Sequence, residues 1–356
     1  MNVKIIGSGS CTPDSIVKNS DFSEHIFFND LGEELKFPES VIGKFKDITG
    51  IEERRYSEKE YVASDLAYYA ASQAIENAGI DSETIDYIIM AHNYGDVEFS
   101  SIQSDTVPSL ASRVKNKLRI KNPHCVGYDL LFGCPGWNEA MIHANAFIRS
   151  TMARRCLVIG AETLSRVIDK YDRDSMIYAD GAGAVVVEAT EHNSGMLSFE
   201  SATHAYEELD YLYFGSSYNQ ELDPKVRYIK MKGRKIYEFA LNKVPLAMKS
   251  CLEKANIDIG EIKKILIHQA NEKMDEAIVT RFYHLFNMNP PEGIMPMCIH
   301  KHGNSSVATI PTLYDLIAKG RNAGTSFFSW RYSSIRISWG WNEYQCFYIQ
   351  SVIHCY

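Results

Sequence analysis

Three polar segments of the sequence carry side chains that could perform acyl-transfer chemistry. The first holds Cys134 and Pro135, ahead of a stretch of helical composition from Glu139 to Ser150. Proline fits the first turn of a helix, where its missing N–H costs nothing, so the Cys134 thiol is predicted at a helix N-terminus. There the helix dipole would stabilise a thiolate and lower the thiol pKa. The alternative is a buried structural cysteine, the usual state of a cytosolic thiol.

The other two segments lie in the second half of the chain. His268 follows the apolar run 265–267 and is predicted at the C-terminal end of a buried strand, where open α/β sheets bind ligands. Asn304 lies in a loop of small and polar residues, 302–306, that precedes a predicted helix. A core histidine and an ordinary capping loop are the alternatives. Together, a thiol, an imidazole and an amide could form a nucleophile, a proton-handling group and an oxyanion donor.

The elements that must position these groups repeat along the chain. Residues 73–92 and 250–269 share six identical positions when aligned. Each copy has a helical pattern that ends at a residue suited to the left-handed conformation, Gly79 or Asn256, followed by an acidic linker and a β-branched run. This shared order of elements at half-length spacing favours an internal duplication.

The first copy also predicts its own boundaries. Ser64 is predicted to cap the helix that ends at Gly79, and Tyr87–Ala91 is too continuously apolar for a half-exposed strand. Strands of this kind, alternating with helices, predict sheets covered by helices on both faces. We place the boundary between two α/β halves after the apolar run that ends at Val187, giving residues 1–191 and 192–356.

Composition limits the class of protein. A length of 356 residues suits one large fold or two fused halves, and a net charge of −8 argues against a duplex nucleic-acid binder. No run approaches the roughly 20 apolar residues of a membrane helix, and the start of the chain lacks the apolar core of a signal peptide. The eight cysteines show no CxxC pair, so we expect a cytoplasmic protein with reduced thiols and no metal.

Six ordered motifs give the sequence a resemblance to a known family. The chain resembles the thiolase-fold condensing enzymes, specifically β-ketoacyl-acyl carrier protein synthase III, to about residue 322. That resemblance implies a thiolase-like α/β fold, in which two duplicated halves form a five-layered αβαβα pseudo-dimer. The motifs are Thr49-Gly50-Ile51 with Glu53-Arg54, Cys134-Pro135-Gly136, Gly160-Ala161-Glu162, Asp180-Gly181-Ala182-Gly183-Ala184, His268-Gln269-Ala270-Asn271 and His302-Gly303-Asn304-Ser305-Ser306.

The resemblance implies an acyltransferase of the 3-oxoacyl-acyl carrier protein synthase III type. Cys134 would accept an acyl primer, and a malonyl carrier would lose CO2 and attack it, in fatty acid or polyketide-like synthesis. His268 and Asn304 would stabilise the enolate. No cofactor is implied, since phosphopantetheine arrives on the carrier. Two alternatives stay open: a thiolase-fold acyltransferase that does not decarboxylate, and a weakly active carrier-binding subunit.

The resemblance also assigns binding residues and a homodimer. Lys273 and Arg281 match basic positions that dock acyl carrier protein, whereas Glu238 stands where a lysine is usual. Lys44 and Ile48 replace the side chains that grip CoA in relatives, which favours a carrier as primer donor. The residues implied to contact substrate or carrier are Val107, Arg234, Tyr237, Asn271, Lys273, Arg281 and Gly340.

Departures from the family pattern predict an altered acyl pocket. Val107 stands where relatives extend a phenylalanine into the partner subunit's pocket, so the smaller side chain leaves room for a longer acyl group. Phe132 before the cysteine and Trp137 after it also predict a reshaped pocket.

The end of the chain departs from the family altogether. From about residue 326 the sequence reads as the out-of-frame product of a gene whose shifted frame encodes a glycine-rich loop between two strands. Gly340 and its flanking tryptophans then occupy the loop expected to supply an oxyanion amide. A diverged native tail is the alternative, and the sequence of the parent gene distinguishes the two.

Overall fold

The computed structural model describes residues 2–36, 38–191 and 195–321. The predicted frameshifted tail, with Gly340, lies outside these ranges. The strands are β1 Asn2–Cys11, β2 Ser15–Lys18, β3 Glu53–Tyr56, β4 Tyr87–Ala91, β5 Val126–Leu130, β6 Arg155–Thr163, β7 Asp180–Thr190, β8 Leu212–Gly215 and β9 Tyr228–Met231. The α-helices are α1 Pro38–Thr49, α2 Ala63–Ala78, α3 Leu110–Lys117, α4 Gly136–Arg149, α5 Gly233–Ala255, α6 Glu272–His284, α7 Ile299–His302 and α8 Thr309–Ala318. Short 3-10 turns occupy Asn19–Phe22, Ser82–Thr84, Leu164–Arg166, Arg173–Ile177, Ile259–Glu261 and Ser306–Ala308.

A five-stranded mixed sheet forms the centre of the first half, in the order β1-β7-β6-β4-β5. Strands β6, β4 and β5 run parallel, and β1 and β7 are antiparallel to their neighbours. The predicted strand Tyr87–Ala91 is β4, and it lies between β5 and β6. Because both of its edges are paired and both of its faces are covered, its continuous apolar sequence fits the position.

Alternate residues of these strands pack into two separate cores. Ile88 and Met90 face one core with α2 and α3, while Ile89 faces the other core with α4. The same alternation continues in β7, where Val186 joins the first core and Val185 the second. The first half is therefore a three-layered α/β/α unit, as the sequence predicts.

Helix α2 ends as predicted but begins differently. Gly79 is its left-handed C-cap, with φ of 63°. The N-cap is Val62 rather than Ser64, so that prediction is wrong. Ser64 lies inside the first turn and donates from its N–H and its hydroxyl to the Asp96 carboxylate, at 2.8 and 2.7 Å. The Ser64 hydroxyl is therefore bonded to Asp96, which is distant in the sequence, and does not cap the helix.

The second copy of the repeat follows the first as far as its 3-10 turn. Helix α5 ends at the left-handed Asn256, with φ of 55°, and the turn Ile259–Glu261 matches Ser82–Thr84. The strand predicted before His268 is not formed among the described residues. Ile265 makes one backbone bond there, from its N–H to the Ile294 carbonyl. A strand needs neighbours on its edges, and the described chain places none beside this segment.

A buried ion cluster fixes the β8–β9 hairpin to the first half. Lys230 is almost fully buried, and its Nζ lies 2.6 Å from an Asp169 carboxylate oxygen and 3.0 Å from one of Asp172. The Nζ also lies 3.3 Å from the ring centroid of Tyr218. Such pairing is what allows a lysine charge to be buried. The hairpin is thereby held over the site described below.

Helix α5 contains Pro245 within its length. Proline has no N–H, so the carbonyl of Leu241, four residues earlier, loses its helical donor. Arg281 of α6 supplies a replacement, because its Nη1 donates to that carbonyl at 3.0 Å and to Asn242 Oδ1 at 2.8 Å.

The predicted boundary between the halves falls directly after β7, which ends at Thr190, but residues 192–194 lie outside the described ranges. The division into 1–191 and 192–356 therefore stays a prediction. No helix in the described ranges is long and apolar enough to cross a bilayer.

Candidate active site

Cys134 lies in a sharp turn between β5 and α4. The turn passes through Gly133, whose φ of 65° favours glycine. Its backbone carbonyl accepts from the N–H of Gly136 at 2.9 Å. Pro135 is the N-cap of α4 rather than its first helical residue, so Cys134 stands one position further from the helix than the sequence predicts.

The environment of the Cys134 thiol acts on its pKa in two directions. Burial raises the pKa, and this is the larger effect, while a hydrogen bond from the Ser306 hydroxyl lowers it. The prediction of a lowered thiol pKa is therefore wrong, because desolvation of the thiolate outweighs the favourable groups around it. The Ser306 hydroxyl is therefore a side chain that favours the thiolate form of Cys134.

His268 is held in place by its neighbour in sequence. The Gln269 side chain is fully buried, donates from Nε2 to the Pro296 carbonyl at 2.9 Å, and accepts from the Cys298 N–H at 2.9 Å. Burial lowers the pKa of His268 to about 4, with a smaller opposite effect from a hydrogen bond to the Ser306 backbone. The imidazole is therefore neutral at physiological pH.

Asn304 is anchored by its backbone and oriented through its side chain. Its N–H donates to the Ile177 carbonyl at 3.0 Å, and its carbonyl accepts from Ala179 at 2.8 Å. The Oδ1 atom accepts from the Ser306 N–H at 2.8 Å. The acceptor end of the amide is thus occupied, which leaves the NH2 end to donate to a bound group.

Cys134, His268 and Asn304 line one cavity of about 420 Å³. The structure therefore brings together the three side chains that the sequence singled out from separate segments. The rest of the wall is mainly apolar, with contributions from the β8–β9 hairpin, α5 and α6. Representative lining residues are Leu212, Phe214, Ile229, Met231, Val244, Met248 and Ile278.

Two side chains expected to reshape this cavity do not line it. Trp137 is buried in the core between α4 and the sheet, and Phe132 is likewise absent from the cavity wall. Trp137 is the second residue of α4 and lies on the helix face that packs against the strands, so its side chain points away from the cavity. Leu131, Gly133, Pro135 and Asn138 are the neighbours of Cys134 that do line it.

Sequence analysis missed a polar pair beside the cysteine, a buried carboxyl and a half-buried amide. Glu162, at the end of β6, accepts from Asn93 Nδ2 at 2.5 Å, and the same nitrogen donates to Ser306 Oγ at 3.1 Å. Burial raises the Glu162 pKa well above its usual value, and proximity to Cys134 raises it further. The available signal was an acidic residue at the end of an otherwise apolar strand, which is unusual unless the residue has a polar partner.

A glycine in the same motif explains how the two halves of the site meet. A Cβ placed on Gly160 would lie 2.4 Å from the Val307 carbonyl oxygen. No larger residue allows the 306–308 turn to approach β6 so closely. This approach brings Ser306 beside Cys134.

The chain is similar to known proteins over most of its length. A family model described as 3-oxoacyl-[acyl-carrier-protein (ACP)] synthase III matches residues 128–205. The β-ketoacyl-[acyl-carrier-protein] synthase III 1 of Vibrio vulnificus (strain YJ016) is 33% identical over 320 residues, covering 88% of this chain and 90% of that protein. The chain belongs to the β-ketoacyl-acyl carrier protein synthase III family.

Further relatives support the same family and its fold. The synthase III of Acholeplasma laidlawii (strain PG-8A) is 32% identical over 314 residues, covering 88% of this chain and 89% of that protein. The crystal structure of the synthase III from Aquifex aeolicus VF5 superposes with a TM-score of 0.73 at 29% identity, covering 90% of this chain and 92% of that one. The predicted thiolase-like α/β fold is confirmed.

The basic and aromatic residues assigned from the synthase III family lie around the cavity rather than inside it. Arg234 and Tyr237 are exposed on the first turns of α5, on either side of the cavity-lining Ile236. Lys273 is exposed at the start of α6, next to the cavity-lining Met274. Arg234 pairs with Glu238 at 2.9 Å, so its charge is partly neutralised on its own helix.

The other assigned residues are placed differently. Asn271 is the N-cap of α6, where its side chain accepts from the Met274 N–H at 3.0 Å, so it fixes the helix that follows His268. Val107 is 84% exposed and does not line the cavity of its own chain. Gly340 lies outside the described residues, and its assigned role stays a prediction.

Proposed function

We propose that this chain is a condensing enzyme that extends a Cys134-bound acyl primer with malonyl-acyl carrier protein, with release of CO2, in fatty acid or polyketide-like synthesis. The observation that carries the proposal is the convergence of Cys134, His268 and Asn304 on one cavity. The Ser306 turn contacts all three of these residues. The chemistry needs no cofactor beyond the phosphopantetheine that the carrier brings.

In the first step, the Cys134 thiolate attacks the carbonyl carbon of the primer thioester. A C–S bond to the enzyme forms, the bond to the carrier sulfur breaks, and the carrier leaves as a thiol once it takes a proton. We assign the N–H of Cys134, in the turn before α4, to bind the tetrahedral oxyanion. The mainly apolar cavity then holds the acyl chain.

In the second step, the C–C bond to the malonyl carboxylate breaks and CO2 leaves. The electron pair moves onto the thioester oxygen as an enolate, which neutral His268 and the Asn304 NH2 group stabilise by hydrogen bonds. The enolate carbon then attacks the acyl carbonyl, and Cys134 leaves as thiolate. The product is a 3-oxoacyl chain two carbons longer on the carrier.

Acyl carrier protein is the proposed partner at the rim of the cavity. Lys273 is an exposed basic residue at the start of α6, the helix that follows His268, and the net charge of −8 makes a local positive group there valuable for an acidic partner. Lys44 and Ile48 lie exposed on α1 and offer no aromatic or guanidinium grip for CoA.

A second basic run, 113–121, is largely used within the fold. Arg113 pairs with Asp96 at 2.8 Å, and Lys117 pairs with Asp65 at 2.7 Å. Lys115 donates to two backbone carbonyls. These internal partners favour the reading of this run as a structural face rather than as the carrier site.

The proposed homodimer is supported by the free edge of the first sheet. Strand β5 ends the sheet order, so one of its edges is unpaired among the described strands. The loop between β4 and α3 exposes Phe99, Ile102 and Val107. It leads into α3, which packs against β5. A second copy related by a two-fold axis would bury both features and bring Val107 towards the partner's cavity.

The function is tested with malonyl-acyl carrier protein labelled in the malonyl group, supplied with acyl carrier primers. We expect CO2 release coupled to formation of a 3-oxoacyl carrier. Acyl transfer without CO2 release would instead support the non-decarboxylating acyltransferase. Carrier binding with neither reaction would support the carrier-binding subunit, and both of these outcomes would contradict the proposal.

The cavity predicts a preference for primers longer than acetyl. Each additional buried CH2 contributes about 0.8 kcal/mol, so KM should fall about fourfold per CH2 until the cavity is full. The measurement is kcat/KM for a series of acyl carrier primers of increasing length.

A matched pair of variants localises this preference. Leu212→Trp narrows the cavity from the hairpin and should shift the optimum to shorter chains, whereas Leu209→Trp, at an exposed position outside the cavity wall, should not. A wild-type preference for acetyl over all longer primers would contradict the prediction.

A further inference from the structure

Ser306 is the common contact of the three proposed catalytic residues. Ser306 lines the cavity wall together with Cys134, His268 and Asn304, and its N–H donates to Asn304 Oδ1 at 2.8 Å. Its hydroxyl lowers the pKa of the Cys134 thiol, and its backbone acts on the His268 imidazole. It is also held in a left-handed conformation, with φ of 51°, which is uncommon for a residue with a side chain. A strained backbone that persists in a site of this kind indicates a functional constraint.

A hydroxyl has one hydrogen to donate, and the residues behind Ser306 decide where it goes. Asn93 Nδ2 donates to Ser306 Oγ at 3.1 Å and to Glu162 Oε1 at 2.5 Å. An amide NH2 group has two hydrogens and accepts none. The Ser306 oxygen is therefore the acceptor in its contact with Asn93, and its own hydrogen is left to donate towards the Cys134 sulfur.

An ionised Glu162 carboxylate can only accept, so it fixes the amide in this orientation. If the Asn93 amide were rotated, its oxygen rather than its NH2 group would face both Glu162 and Ser306. Glu162 and Ser306 are buried and Asn93 is half-buried, and Glu162 is the one carboxyl in this chain of contacts among the described residues. Buried hydrogen bonds of this kind polarise one another in sequence.

We propose that Asn93 and Glu162 are positioning residues that orient the Ser306 hydroxyl as a hydrogen-bond donor to the Cys134 sulfur and so keep the nucleophile reactive in a buried site. The proposal rests on the proposed role of Cys134 as the acylated residue. It assigns functions to three residues outside the Cys134, His268 and Asn304 set.

The test is the rate of Cys134 alkylation by iodoacetamide as a function of pH, read by peptide mass spectrometry. This assay needs neither carrier nor malonyl substrate, so it can fail independently of the condensation assay. Ser306→Ala removes the donor to the sulfur and should slow alkylation about tenfold at pH 8, with the midpoint of the pH profile about one unit higher. Asn93→Leu leaves the hydroxyl free to rotate and should slow it about threefold.

A double-mutant cycle tests whether Asn93 acts through Ser306. In a Ser306→Ala background, Asn93→Leu should have no further effect on the rate or on the pH profile. The matched control is Ser305→Ala, which removes the adjacent hydroxyl on the side of Gly181 and should leave Cys134 alkylation unchanged.

Three results would overturn the proposal. One is a wild-type pH profile for Cys134 in Ser306→Ala. Another is an Asn93→Leu effect that is equally large with and without the Ser306 hydroxyl. The third is an equally large loss of Cys134 reactivity in Ser305→Ala, since the effect would then belong to the turn as a whole rather than to this chain of hydrogen bonds.

Discussion

Cys134→Ser should show no acyl adduct after incubation with an acyl carrier thioester, whereas the unmodified protein gains the mass of one acyl group. Cys134 combines the turn before α4 with a place in the cavity wall. Cys125 and Cys156 are buried in the two cores of the first half and do not line the cavity, so a thioester bound there does not reach them. Intact-protein mass spectrometry followed by peptide mapping measures the outcome.

Cys125→Ser is the matched control for this experiment. Its thiol is buried under α3, away from the cavity wall, so its removal should leave the adduct on Cys134 intact. An adduct that survives in Cys134→Ser, or that maps to Cys125 or Cys156, would refute the assignment of the nucleophile.

His268→Ala and Asn304→Ala should each lower malonyl decarboxylation by about 10²-fold to 10³-fold, the usual cost of losing one oxyanion donor. Acylation of Cys134 should persist in both variants, because the enolate forms only after the primer is loaded. Since burial lowers the pKa of His268 to about 4, we expect its contribution to stay constant between about pH 6 and pH 8. The measurements are CO2 release and the mass of the acyl-enzyme.

The chain offers a matched control for each of these substitutions. His302 is a shielded histidine of the neighbouring α7, and burial lowers its pKa to about 4 as well, but it does not line the cavity. Asn145 is a buried asparagine of α4 that is also absent from the cavity wall. His302→Ala and Asn145→Ala should retain decarboxylation when folded. Undiminished condensation in His268→Ala or Asn304→Ala would contradict the assigned roles.

The sequence predicted features that depend on local physics. Gly79 and Asn256 adopt the left-handed caps expected of them, and β4 occupies the predicted strand Tyr87–Ala91. A left-handed cap is decided by the residue itself, and a fully covered strand by its own apolar run. The convergence of Cys134 and His268 required more, and it followed from motifs shared with the synthase III family.

Predictions that depended on distant partners were wrong. Ser64 does not cap α2 because Asp96, far along the chain, takes its hydroxyl. The strand before His268 is not formed in the described ranges, because a strand exists only beside another. The Cys134 pKa moves opposite to the prediction, because burial raises it and the extent of burial is set by parts of the fold that the cysteine segment does not contain.

The Asn93–Glu162 pair was missed for a related reason. Glu162 was noted only as part of a family motif, and Asn93 was not noted at all. The sequence separation of the two residues matches no known catalytic motif. Only the folded chain shows that the ends of β4 and β6, which are adjacent in the sheet, place both side chains beside the 306–308 turn.

Pro245 and Arg281 link the shape of a helix to the availability of a charge. The Arg281 guanidinium supplies the donor that proline lacks. Part of its hydrogen-bonding capacity is therefore not available to an acidic partner that binds at the surface of α6. Charge scanning at this position therefore reports on two quantities at once: a loss of helix integrity and a loss of attraction. Pro245→Ala separates them, because the new backbone N–H can bond the Leu241 carbonyl and release the guanidinium as a fully mobile cation.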